Sequence, residues 1–406
     1  MIPLKEAQAI VLGGVAPLPV VEVPVPEGIG LTLAGDIVAG ESIPPFANTA
    51  VDGYAVRATN THQAAPDHPV RLPVVDELPA GRTPSRPLLA GEAIRIMTGA
   101  PVPEGADAMV MVEDTSRDGD GGVFIKRPAK VGDHVRPAGG DVAPGDSVFL
   151  AGTVLRAAHL GVLSSLGLTS IAVHRRPRVA LISTGDELAD PGEPLTPGRI
   201  RDSNRPMLLA LVAGTGCQAV DFGVVTDDEA AITEALESAL SSCDAIVTTG
   251  GVSMGDYDFV KVVVERLGEL RWLQVAIRPA KPLAFGLVGG RPILGLPGNP
   301  VSSHVSFELF ARPALMKLMG RATVNRPALR ATAAEPLRRQ RDGKLHLDRV
   351  RLSIENGRLF ASRSGVQASN VLTAMAAADG LVLLPDGEGV DAGEEVDVLH
   401  LGFDPT

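Results

Sequence analysis

The chain has 406 residues, enough for two to four domains, and its 45% hydrophobic and 21% charged composition is that of globular domains rather than a disordered chain. A net charge of −11 argues against nonspecific binding to nucleic acid, which needs an excess of Lys and Arg. No run of about 20 apolar residues is present, so no membrane association is expected.

The opening segment, MIPLKEAQAIVLGG, has no basic stretch ahead of a long apolar one, so no secretory leader is expected. It predicts a helix over 4–12. Residues 1–175 then read as β-rich modules, with runs such as HPVRLPVVDEL and GDSVFLAGTVL broken by turns like PAGGDVAPGD. The densest set of β turns spans 45–145. A short helix, a strand and a basic hinge close this part at 157–178.

From 176 to 322 apolar runs alternate with helical patterns. VALIS precedes a Gly/Asp/Glu loop and a helix after Asn204. AVDFGVV precedes TDDEAAITEALESAL, where Thr226 and Glu229 have capping-box spacing. DAIVTTGG precedes a helix beyond Phe259. RPILGLPGNP precedes a helix over 301–318 with Asn299 as N-cap and Pro300 in its first turn. This rhythm predicts a three-layer α/β domain with a mostly parallel sheet, whose ligands bind beyond the C-terminal strand ends. Residues 327–406 return to β, and Asn356-Gly357 between two alternating runs predicts a hairpin. The chain is thus a multidomain α/β plus β protein.

Four central loops fall at predicted strand ends: STGDEL, TDD, TTGGVSMGDYD and GLPGNPVS. Their glycines, Gly185, Gly250, Gly251, Gly255 and Gly298, leave backbone N–H groups free to face an anion. Glu187, Asp227, Asp256 and Asp258 offer hard oxygens suited to Mg²⁺. Arg278 and Lys281, in IRPAKP, add cations. Amides, carboxylates and cations together suit a phosphate ester bound with Mg²⁺. Each feature alone also serves as an ordinary turn, an N-cap or a solvated charge. Cys217 and Cys243 form neither a CxxC pair nor a zinc spacing and are expected to be reduced, packed thiols of a cytoplasmic protein.

Eight segments, PPFANTAVDGYAVRA, IMTGAPVPEGADAMV, RPAGGDVAPG, ALISTGDEL, DSNRPMLLALV, TTGGVSMGDYDFVK, IRPAKPLAFG and LPGNPVSS, resemble in this order the MoeA family of molybdopterin molybdenumtransferases. That family is related to the E domain of gephyrin and its plant counterpart. The resemblance covers about residues 4–400. It implies a MogA-like central domain, a small β-barrel-like C-terminal domain and an elongated homodimer. The active site is then shared between the central domain of one chain and the N-terminal module of its partner. The substrates it implies are adenylylated molybdopterin and molybdate, with Mg²⁺ assisting and AMP released. A molybdopterin adenylyltransferase and apo-molybdoenzymes are the partners it suggests.

Carried over by motif, the implied catalytic residues are Asp52, Thr98, Asp141, Glu187, Asp227 and Asp258, with Glu187, Asp227 and Asp258 on the metal. The implied cofactor-binding residues are Gly185, Asp186, Ser203, Gly250, Gly251, Ser253, Gly255, Arg278, Lys281, Pro297, Gly298, Asn299 and Pro300. Arg349 and Ser369 fall where the family has a functional arginine and serine. Val51 stands where the family usually has Met, Arg278 where many members have Lys and Gln274 where some carry another Lys. Two other readings remain at this point, a molybdopterin adenylyltransferase and a non-catalytic scaffold of the gephyrin type.

Overall fold

The computed structural model describes residues 1–250 and 259–402. Its central sheet has six strands in the order Gln218–Val225, Arg178–Thr184, Ala245–Thr249, Arg291–Leu296, Pro282–Val288, Glu269–Gln274. The first four are parallel and the last two are antiparallel. The antiparallel edge arises because Gly289 and Gly290, both at positive φ (55° and 78°), close a two-residue turn that returns the chain beside its neighbour.

Alternation along the strand Arg178–Thr184 shows why the domain has three layers. Val179 and Leu181 face one core with Leu208 and Val212 of the helix Asn204–Gly214. Ala180 and Ile182 face the other with Ile232 and Leu236 of the helix Glu229–Ser242. Strands buried on both faces read as continuous apolar runs.

Three local expectations change. The helix Glu229–Ser242 is capped by Asp228, whose carboxylate accepts from the Ala231 N–H, so Thr226 is not the cap. The expected helix over 301–318 begins with Pro300 in its first position, as expected, but has a π turn, Phe307–Ala311, between two α segments. Asn299 is its N-cap residue, but its side chain makes no capping bond. Near the π turn the Leu309 carbonyl accepts a 3.0 Å bond from Gln8 Nε2, and Lys317 Nζ binds the Leu12 carbonyl. These bonds seat the first helix, Leu4–Gly13, in the central core, where Ala7 and Val11 are buried.

The N-terminal region holds a six-stranded sheet, ordered Ala108–Met111, Gly53–Val56, Ala93–Ile96, Val70–Leu78, Gly122–Ile125, Thr115–Arg117. Gly53 is required there, because a Cβ would lie 2.0 Å from the Val110 carbonyl oxygen. A three-stranded sheet, Val20–Pro24 with Ser170–His174 and Thr32–Leu33, joins this region's two ends.

In the C-terminal region, Leu345–Glu355 and Arg358–Arg363 form the expected hairpin around Asn356 and Gly357, at φ 49° and 76°. Ala328–Ala333, Glu395–His400 and Gly380–Leu384 complete a closed barrel of five strands. The short strand Ile277–Arg278 pairs in parallel with Leu345 and His346, so the barrel joins the central domain beside Arg278. Among the described residues no helix is long and apolar enough to cross a membrane.

Candidate active site

Because four strands run parallel, the loops that follow them emerge at one sheet edge, as the sequence pattern requires. Gly250 sits so close to the first loop that a Cβ would lie 2.3 Å from the Thr184 carbonyl oxygen, and its φ of 88° also favours glycine. Asn204 ties the loops together. Its buried amide donates to Thr249 Oγ1 (2.9 Å) and to the Gly298 carbonyl (2.7 Å). Ser203, the expected ligand contact beside it, is exposed and makes no capping bond.

Three carboxylates gather at this edge. The Asp227 N–H donates to Asp186 Oδ1 (3.1 Å). Burial, then the Asp186 charge, then the Glu187 charge push the Asp227 carboxyl above its usual range. Such crowding of hard oxygens is what a divalent cation relieves. Among the described residues no group of three or more His, Cys, Asp or Glu side chains has the arrangement of a metal centre. Asp258, with Gly251, Ser253, Gly255 and Asp256, lies outside the described residues.

Next to these loops, a cleft of about 880 Å³ separates the central domain from the barrel. Arg278, Lys281, Pro297 and Asn299 line one wall; Arg349 and Ser369 line the other. Ser369 also reaches across: its carbonyl accepts from the Val301 N–H (3.2 Å), in the first turn of the helix behind Pro300. Arg349 is fully buried. Its Nη2 donates to the Val366 and Ala368 carbonyls, both at 3.1 Å. Its Nε and Nη1 have no hydrogen-bond partner among the described residues. Burial lowers this guanidinium's pKa, while Asp348 raises it. A buried cation with two idle donors is costly.

Sequence reasoning missed several residues of the same cleft. Lys344, His346 and Arg363 line it. Asp342 gathers Lys344, His346 and Arg339. Against desolvation, which raises it, hydrogen bonds from His346 and Lys344 hold the Asp342 carboxyl down at about 2. The motif DSNRP pointed to Ser203, one residue short of Asn204. No spacing signal marks the barrel residues, which only the tertiary fold brings to the cleft.

Asp52 and Thr98 meet in the N-terminal sheet region. Asp52 Oδ1 accepts from both the N–H and the hydroxyl of Thr98, each at 2.7 Å. Those two bonds, followed by the Arg95 charge, hold the Asp52 carboxyl below its usual range against a small desolvation. Asp141 is exposed in a nearby turn, where its N–H donates to the Ile43 carbonyl. The groups acting on Asp52 therefore come from its own module, not from the strand-end loops. Both cysteines are free and buried, and burial pushes the Cys217 thiol up to about 11.

Comparison with known proteins matches nearly the whole chain. Family models match in sequence order: "MoeA N-terminal region (domain I and II)" over residues 2–167, "Probable molybdopterin binding domain" over 180–317, and "MoeA C-terminal region (domain IV)" over 330–401. Molybdopterin molybdenumtransferase 2 of Mycobacterium tuberculosis is 43% identical over 391 residues, covering 94% of this chain and 95% of that protein. Molybdopterin molybdenumtransferase of Haemophilus influenzae is 35% identical, covering 90% of each. The solved structure of the molybdopterin biosynthesis MoeA protein from Pyrococcus horikoshii superposes with a TM-score of 0.83 at 31% identity, over 98% of this chain and 99% of that one. With both ends and the centre matched in register, the chain belongs to the MoeA family.

Proposed function

We propose that this protein is a molybdopterin molybdenumtransferase that takes molybdenum from molybdate into adenylylated molybdopterin and releases AMP. The observation that carries the reading is the buried guanidinium of Arg349, with two unpaired donors, in a cleft that borders the strand-end loops. In this account Gly250 and Gly298 bring peptide N–H groups to the phosphates, whereas the Gly185 N–H, expected to be free, donates to the Val225 carbonyl (3.4 Å). Arg278 and Lys281 balance phosphate charge at the cleft wall. Arg349 and Ser369 meet molybdate, with Pro297, Asn299 and Pro300 shaping the opposite side. Glu187 and Asp227, joined by Asp258, would hold Mg²⁺, which when bound neutralises the pyrophosphate charge as it breaks. The dithiolene sulfurs of the substrate are the metal's new ligands, so no protein nucleophile is needed and the cysteines stay outside the chemistry.

The groups that act on Asp52, Thr98 and Arg95, belong to its own N-terminal module. We therefore assign Asp52 and Thr98, with Asp141, to the site of a partner copy in a homodimer. In this reading the protein works in the cytoplasm, where a molybdopterin adenylyltransferase would supply its substrate and apo-molybdoenzymes would accept its product. The test is to incubate the protein with adenylylated molybdopterin, Mg²⁺ and molybdate, and to follow AMP release and reconstitution of an apo-molybdoenzyme. AMP release that requires Mg²⁺ and yields active molybdoenzyme is expected. ATP consumption in a parallel incubation with ATP and non-adenylylated molybdopterin, with no AMP release from the adenylylated substrate, would instead favour an adenylyltransferase, and no turnover in either a scaffold.

A further inference from the structure

The barrel loop 365–369 wraps Arg349, and one side chain fastens it. Gln367 Oε1 accepts from the Arg349 N–H (2.7 Å), and its Nε2 donates to the Arg349 carbonyl (3.0 Å) and to the Gly365 carbonyl (2.9 Å). A single amide thus engages both backbone polar groups of Arg349, as a neighbouring strand would. The carbonyls that grip Arg349 Nη2 belong to Val366 and Ala368, the residues on either side of Gln367. Fixing Gln367 therefore fixes both the root and the tip of the guanidinium. Two further bonds set the frame: the Ser364 N–H donates to the Arg349 carbonyl, and Val301 N–H to that of Ser369.

We propose that Gln367 is a positioning residue: by clamping the loop onto Arg349 it holds the guanidinium at the cleft wall and so sets the affinity for molybdate. The inference rests on the reading of Arg349 as a molybdate contact. A supporting shell of this kind matters because a ligand-holding group must be held within a fraction of an ångström of its working geometry.

The test compares wild type with Gln367→Met, Gln367→Glu and Arg349→Met, measuring AMP release against molybdate at saturating adenylylated molybdopterin, then the reverse, with a melting curve for each variant. Met removes all three hydrogen bonds at similar volume. Glu keeps the acceptor for the Arg349 N–H, loses both donated bonds and sets a negative charge beside the guanidinium. Both Gln367 variants are expected to raise the KM for molybdate about tenfold or more, in line with the usual cost of losing an outer-shell partner. The KM for adenylylated molybdopterin and the kcat at saturating molybdate should stay within about twofold of wild type, a split that general loosening of the barrel does not give. If Arg349→Met raises the molybdate KM and both Gln367 variants leave it unchanged, or if they lower kcat and melting temperature alone, the positioning role is wrong. If Arg349→Met itself leaves the molybdate KM untouched, the underlying reading of the cleft fails instead. Should Gln367→Met not fold, Gln367→Glu alone decides by the same split.

Discussion

Replacing Arg349 by Met is expected to lower kcat/KM for molybdate by about 10²–10⁴-fold while leaving the melting temperature within a few degrees of wild type. The size follows from two charge-assisted hydrogen bonds to an oxyanion, each worth about 1.5–3 kcal/mol. The modest effect on stability follows from two opposed terms. The variant loses the bonds to the Val366 and Ala368 carbonyls. It also removes a buried cation whose Nε and Nη1 are unpaired, and replacing buried charge by an apolar side chain of similar length is often neutral or stabilising. Saturation kinetics with molybdate and a thermal melt check both halves. An Arg349→Met protein with full activity at low molybdate would remove the cation from the account.

Asp227→Asn is expected to cut AMP release by about 10²-fold or more, the loss of a ligand to a charge-neutralising metal. In the absence of Mg²⁺ it should raise the melting temperature at pH 7 by roughly 1–3 °C, since it relieves like-charge repulsion at a half-exposed site. The sign follows from the raised carboxyl pKa, set by burial and then by Asp186 and Glu187. A folded-state pKa above the unfolded one stabilises fully below the unfolded value, and that contribution is lost as pH rises through the folded value. The advantage of Asn therefore appears at neutral pH and fades in acid. Added Mg²⁺ should stabilise wild type more than the variant. A second outcome follows from a site shared between chains. Asp52→Ala and Asp227→Asn, each inactive, should regain about a quarter of wild-type activity when unfolded together and refolded as random dimers, because about half the dimers are mixed and each of those holds one intact site of two. No recovery on mixing would put Asp52 and Asp227 in the same chain's site.

The central domain was legible because its strands are buried on both faces. Unbroken apolar runs followed by Gly, Asp and Pro loops leave little else for the chain to do there, and parallel strands then carry the loops to one edge without further information. The Asn356-Gly357 hairpin was legible for a local reason, since positive φ at both positions selects those residues. What escaped was decided by tertiary contact. Thr226 has the right spacing for a cap, yet the helix starts two residues later than that spacing implies and Asp228 takes the role. The first helix follows from its own pattern, but its place in the central core depends on Gln8 and Lys317 meeting carbonyls some 300 residues away in sequence. Arg349 could be flagged only by resemblance, and Gln367 not at all, since a lone glutamine in a loop has no periodic partner.

The most direct measurement is diffraction at the molybdenum absorption edge from crystals of this protein soaked in molybdate with Mg²⁺. The account predicts an anomalous peak in the cleft, within hydrogen-bond reach of the Arg349 guanidinium and of Ser369, facing Pro297 and Asn299. A peak elsewhere on the molecule, with that cleft empty at saturating molybdate, would contradict it.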